Sequence, residues 1–168
     1  RGGDELSPET AGDIAALIEP FGWILQIQDR RERWIEDAAP SLMRLPVPLI
    51  FDHLGRTPAA EGANSAEFKA VIKLLETGRV WVKISGVYYS TLANHPDYKD
   101  AVERIRILVE TRPDRILWGL NWPYPQFPFK TEADSADFLD IMLDWVPDEA
   151  TRTMIFAGNP EKLYGFDD

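Results

Sequence analysis

Four short apolar runs punctuate the chain: WILQIQ at 23–28, PLIFD at 48–52, VWVKIS at 80–85 and RILWG at 115–119. Each is close to continuously apolar rather than strictly alternating, which is the pattern of parallel strands covered on both faces. Between the runs, apolar positions recur with helical spacing. A helix is predicted over 8–19, with Ser7 as N-cap and Pro8 at the first helical position. A second, over 65–77, places Phe68, Val71, Ile72 and Leu75 on one face and stops at Gly78, where a left-handed cap suits glycine. A third, over 97–111, buries Val102, Ile105 and Val109 and then meets Pro113, which forbids continuation. Segments 135–145 and 148–156 add two more, and a weaker helix around 30–39 ends at Pro40. Strands alternating with helices in this way spell consecutive β/α units.

With no internal repeat, linker or low-complexity tract, residues 1–168 read as a single unit of four β/α repeats. Such a unit fits half of an eight-stranded barrel or one small doubly wound sheet. A full barrel takes about 250 residues and rarely fewer than 200, so length alone favours the doubly wound sheet. The polar residues bear on function in either case. Each apolar run ends in groups capable of chemistry: Gln26 and Gln28, then Asp52 and His53, then Lys83 and Ser85, then Asn121. Barrels and open α/β sheets both bind ligands at the carboxyl ends of their strands, so this pattern marks a small-molecule site. No glycine-rich phosphate loop accompanies it.

Composition narrows the chemistry. There is no cysteine, hence no disulfide, thiolate metal site or cysteine nucleophile, and the two histidines, His53 and His95, are too few for a multi-histidine site. Eighteen basic against 28 acidic residues give a net charge of −10, which argues against nucleic acid and polybasic membrane contacts. No run approaches a membrane span and no signal peptide is visible, so the expected location is cytoplasmic. The chain opens on Arg1 rather than Met, as expected of a processed or truncated piece. The abundant aromatics, Trp34 and Trp145 among them, read as packing.

Individual residues carry two readings. His53 is a site imidazole or a satisfied core histidine; Arg56 is a substrate clamp or a surface loop arginine. Lys83 and Ser85 share one face of their strand. Burying an unpaired ammonium is costly, so Lys83 is a site cation or a structural lysine bridged to an acid such as Asp52. Tyr88 and Tyr89 follow Gly86, where one could cap a pocket. The stretch WPYPQFPF at 122–129 is a pocket wall or a stiff connection, and His95 is a surface residue.

FDHLGRT at 51–57 and LWGLNWPYP at 117–125 resemble the amidohydrolase-like hydrolases related to 2-pyrone-4,6-dicarboxylate lactonase, supported by Gly22-Trp23, WVKISG at 81–86 and NPEKLYGF at 159–166. The resemblance implies a TIM-type (β/α)8 barrel, of which this chain covers about the last four β/α units. It also implies metal-independent, cofactor-free hydrolysis of a lactone or related cyclic ester. Two features depart from the pattern. The His-x-His pair of the family's first strand is absent, and the aspartate of its WG-x-D-WP segment is Asn121 here, with Tyr124 where a histidine often follows. On this reading Asn121 and His53 are the candidate catalytic positions, and Arg56, Ser85, Tyr88, Tyr124 and Gln28 the candidate substrate contacts. The implied partner is a small organic acid or lactone. The other four strands would come from an N-terminal half or from a second copy in a homo-oligomer. Because a carboxamide cannot take up a proton at neutral pH, a non-catalytic ligand-binding or assembly relative is the alternative.

Overall fold

The four apolar runs form four strands, β1 (Leu25–Ile27), β2 (Leu49–Phe51), β3 (Val80–Ile84) and β4 (Ile116–Trp118). They are seen in a computed structural model that describes residues 6–29, 31, 33–93, 97–127 and 134–166. All are parallel and lie in the order β1-β2-β3-β4, with Leu25 opposite Leu49, Phe51 opposite Val82 and Ile84 opposite Trp118. This order settles the choice that length had tilted the other way. A doubly wound sheet reverses direction at a switch point and carries helices on both faces, whereas here each strand is added beside its predecessor in one sense. The arrangement is an arc of a β/α barrel.

The helices are α1 (Pro8–Ile18), α2 (Trp34–Leu42), α3 (Ala66–Glu76), α4 (Lys99–Thr111), α5 (Ser135–Trp145), α6 (Glu149–Thr153) and α7 (Asn159–Tyr164). Ser7 and Ser65 act as the expected N-caps, accepting from Thr10 N and Phe68 N at 3.0 Å. Helix α2 departs from expectation: it runs through Pro40 to Leu42. A proline this close to the end forfeits a single backbone bond, and the flanking Ala38 and Leu42 are buried. The last helix also outruns its predicted end. A π-helical segment, Met154–Gly158, joins α6 to α7. Within it Ile155 is buried and Phe156 meets Trp118 edge-on at 5.1 Å. Asn159 Nδ2 then donates to Pro113 O and Ile116 O at 2.8 and 2.7 Å, fastening α7 to the start of β4. Among the described residues no helix is long and apolar enough to cross a membrane.

Strand alternation sorts the sheet into two faces. Leu25, Ile27, Leu49, Phe51, Val80, Val82, Ile84 and Ile116 point outward into the main core with Leu42, Phe68, Val71, Leu74, Ile105 and Leu108 from the helices. On the inner face Ile50, Trp81 and Leu117 form a smaller apolar cluster against Ile24 and Leu163. The outer core is where most of the burial free energy resides, since truncating one such leucine to alanine typically costs about 2–5 kcal/mol.

Two buried charges organise the loops. Arg104 on α4 is wholly buried. Its Nη1 donates to Thr57 O and Thr57 Oγ1, both at 3.0 Å, and its Nη2 donates to Ser90 O, tying the loop after β2 to the loop after β3. Burial holds its guanidinium below the usual arginine range. Glu67 on α3 does the second task. The residue before α2, Arg33, sits at φ 65° and provides no side-chain cap. Glu67 Oε1 and Oε2 accept from Ile35 N and Glu36 N, each at 2.8 Å, and so satisfy two of the orphan donors of α2. Burial raises the Glu67 carboxyl above the usual range, against these two bonds.

Glu67→Ala is therefore expected to destabilise the fold by about 1–2 kcal/mol at pH 7, the range of a lost N-cap. Glu67→Gln, which keeps one acceptor oxygen, should lose less. Urea titrations of the three proteins compare them directly; equal stability of wild type and the alanine variant would refute the capping role.

Candidate active site

The polar half of the inner face lies at the carboxyl ends of the strands. There Gln26 and Gln28 from β1 and its extension, Asp52 and His53 after β2, Lys83 and Ser85 from β3 and its extension, and Asn121 beyond β4 line one cleft of about 330 Å³. Trp118, Gly119 and Tyr164 complete its wall.

Asp52 is the hub of the cleft floor. Its Oδ2 accepts from Gln26 Nε2 at 2.7 Å, and its Oδ1 lies 3.1 Å from Lys83 Nζ. Both partners stand on neighbouring strands, so one carboxylate links β1, β2 and β3. Of the two readings of Lys83, the bridging one is realised, and the ammonium still reaches the cleft. A buried ion is tolerable only when its oxygens or hydrogens are engaged, and here they are.

His53 opens a turn in which His53, Leu54, Gly55 and Arg56 all have positive φ, between 51° and 67°. Left-handed backbone costs a non-glycine residue about 1–2 kcal/mol. Wholly buried Leu54 anchors the turn from inside. Glycine is required at 55 for a second reason: a Cβ there would lie 2.9 Å from Val71 Cγ2 and 3.1 Å from Ile35 Cδ1. The turn aims the His53 ring at Ser85, with Nδ1 2.9 Å from Ser85 Oγ. Tyr89 packs on the ring at a centroid distance of 5.0 Å, and Arg56 Cζ lies 4.0 Å above the Tyr89 ring. Burial pushes the imidazole below its ordinary pKa; nearby Arg56 and Lys83 add to that, while Asp52 opposes it. At neutral pH the ring is therefore uncharged.

Gly86 separates His53 from Asn121. At φ 48°, it leaves open a point that a Cβ would bring within 2.7 Å of His53 Nδ1 and 3.0 Å of Asn121 Nδ2. Asn121, itself at φ 64°, donates from Nδ2 to Tyr88 Oη at 2.7 Å. The Tyr88 and Tyr89 hydroxyls both donate to Pro125 O, at 3.3 and 2.6 Å, which fastens the loop after β4 to the loop after β3. Burial, with the neighbouring Tyr89, raises the Tyr88 phenol far above its ordinary range, so it stays protonated.

The cleft thus brings together four of the seven candidates read from sequence: His53, Ser85, Asn121 and Gln28. Arg56 stands one layer behind, on Tyr89. Tyr88 is buried behind Asn121 rather than lining the cleft, and Tyr124 faces α5, its hydroxyl 2.6 Å from Ser135 Oγ and its ring stacked on Phe138. His95 lies outside the described residues, as does the end of the 122–129 stretch beyond Phe127. Sequence reasoning missed Tyr164, which reaches the cleft only because α7 extends past the expected helix end. Among the described residues, no group of three or more His, Cys, Asp or Glu side chains is placed to hold a metal ion.

Comparison with known proteins places this geometry in context. A family model described as amidohydrolase matches residues 1–166. The chain is 34% identical over 132 residues to the 4-sulfomuconolactone hydrolase of Hydrogenophaga intermedia, covering 78% of this chain and 43% of that protein. It is 35% identical over 130 residues to the D-galactarolactone isomerase of Agrobacterium fabrum, covering 76% of this chain and 44% of that one. An apo crystal structure from Agrobacterium tumefaciens superposes with a TM-score of 0.81 at 28% identity, over 96% of this chain and 57% of its own. The chain spans about half the length of the curated relatives it matches.

A histidine whose folded pKa is depressed stabilises the fold above its unfolded value, near 6.5, and that contribution is lost as the pH falls through the folded value. Wild type is accordingly expected to lose stability on acidification below about pH 6.5 more steeply than His53→Gln. Thermal melts of both across pH 5–8, with an NMR titration of His53 showing a midpoint below 6.5, check this. A midpoint at or above that value would contradict the burial argument.

Proposed function

The chain belongs to the amidohydrolase family, and from that premise we propose that its cleft binds and hydrolyses the lactone of a small organic acid. The observation that carries this reading is the hydrogen-bonded His53–Ser85 pair set across Gly86 from Asn121. With Nδ1 accepting the Ser85 hydroxyl, Nε2 carries the ring proton and donates to the carbonyl oxygen of the lactone, where charge develops as water attacks. Lys83 adds positive potential on the same side. Arg56, behind Tyr89, contributes a second cation suited to an acidic substrate, while Gln28 and Asn121 supply neutral hydrogen bonds. Four further β/α units, from an N-terminal half or a second copy, close the barrel around this site. Two relatives support a lactone as the ligand class, one named a hydrolase and the other an isomerase.

Asn121 favours a second reading, a ligand-binding relative without turnover, because its amide accepts no proton at neutral pH. The test uses the complete barrel with 4-sulfomuconolactone and D-galactarolactone, ring opening being followed in a pH-stat and binding by calorimetry. Hydrolysis that falls at least about 10²-fold in His53→Gln supports the enzyme reading. Binding without ring opening supports the second, and neither binding nor ring opening overturns both.

The two readings also part over Asn121→Asp. The residues are nearly the same size, so packing should survive. If position 121 addresses the attacking water, a carboxylate there should, in the complete barrel with the N-terminal half present, raise kcat by about 10²–10⁴-fold and change the ligand Kd much less. No gain in kcat, with both proteins folded and binding, would remove position 121 from the proton chemistry.

A further inference from the structure

A carboxamide offers two chemically opposite ends, and which one faces the cleft decides what Asn121 recognises. Three polar groups meet behind it. Tyr88 Oη lies 2.7 Å from Asn121 Nδ2 and 3.3 Å from Pro125 O, and Tyr89 Oη lies 2.6 Å from the same carbonyl. A carbonyl oxygen only accepts, and a phenol has one proton to give. With that proton directed at Pro125 O, Tyr88 Oη meets Asn121 as an acceptor, so the group facing it must be the amide NH2. Burial keeps the Tyr88 phenol protonated across the whole working pH range. Among the described residues Asn121 Oδ1 makes no hydrogen bond, and Asn121 lines the cleft.

We infer that Tyr88 is a positioning residue that holds the Asn121 amide with Nδ2 turned away from the cleft and Oδ1 turned into it, making position 121 an obligate hydrogen-bond acceptor. The group that docks there must bring a hydrogen: a substrate hydroxyl or a water. A carboxylate or a ring carbonyl oxygen is repelled from this point. The acidic end of a ligand is thereby left to the cleft's cation, Lys83, rather than to position 121. The inference deepens the lactone-site reading and rests on it only for the identity of the docking partner; the amide orientation stands on the loop geometry alone.

That independence shapes the test, which needs no ligand. In the wild-type chain, NMR should show contacts from the Asn121 side-chain NH2 protons to the Tyr88 ring protons flanking the hydroxyl. Those NH2 protons should exchange with water about tenfold more slowly than the exposed side-chain amide of Asn64. Tyr88→Phe should remove this protection, while Tyr89→Phe, which cuts only the other tie to Pro125, should leave it within about twofold. Absence of the wild-type contacts overturns the inference whatever the variants do. Equal loss of protection in both variants also overturns it, since the amide would then be held by general loop order rather than by Tyr88. Lactone turnover is absent from all these readouts, so failure of the hydrolase reading and failure of this one are separately visible.

Discussion

Side chains on a strand point alternately to either side of the sheet, and here that period of two separates packing from chemistry. One register of β2 and β3 sends Leu49, Phe51, Val80, Val82 and Ile84 into the helices; the other sends Ile50, Asp52, Trp81 and Lys83 inward. A slip of one residue would put the ammonium and the carboxylate into the helix-packed core, at a cost that rivals the roughly 5–15 kcal/mol by which domains are stable. The outward residues thus enforce the register on which the inner face depends. Within that face the gradient is longitudinal. Ile50, Trp81 and Leu117 are closed off by Leu163 at one end, and the groups able to exchange protons or accept hydrogen bonds collect at the other.

The loops that finish the cleft are held by polar contacts to backbone as well as by apolar anchors such as Leu54 and the ring cluster around Tyr88. Arg104 grips carbonyl oxygens of both the His53-bearing and the Tyr88-bearing loops from a helix that contributes nothing to the cleft itself. Each backbone carbonyl has room for such a donor, and a guanidinium serves several at once. The three left-handed non-glycine residues, His53, Leu54 and Arg56, add strain that this framework sustains. Strain of that kind at a strand end is characteristic of places where side-chain direction matters more than backbone ease.

How much of this was legible in the sequence depends on the range of the interaction. Period and local caps are short-range signals, and the four strands, the Ser7 and Ser65 caps and the strand-end position of His53, Ser85 and Asn121 follow from them. The Asp52–Lys83 pair was legible as one of two options, because a lysine amid apolar neighbours demands an acid. Contacts between distant segments were not. Glu67 caps a helix 31 residues earlier, so the unmarked N-terminus of α2 made that helix look weak. Tyr88 and Tyr124 follow strands as read, but their hydroxyl partners, Asn121 and Ser135, lie on other segments that spacing does not reveal. Length misled as well, since it measures how much barrel is present and says nothing of strand order.

The three-strand linkage through Asp52 has a mechanical meaning. With Gln26 and Lys83 fixed to one carboxylate, β1, β2 and β3 resist sliding past one another and behave as a stiff plate. Among the described residues the segment beyond β4, from Asn121 to Phe127, is held instead by the tyrosine hydroxyls and by the rings of Tyr88, Tyr124, Phe127 and Phe138 packed on one another. The floor of the cleft is therefore fixed in width by side-chain contacts across three strands as well as by the backbone ladder.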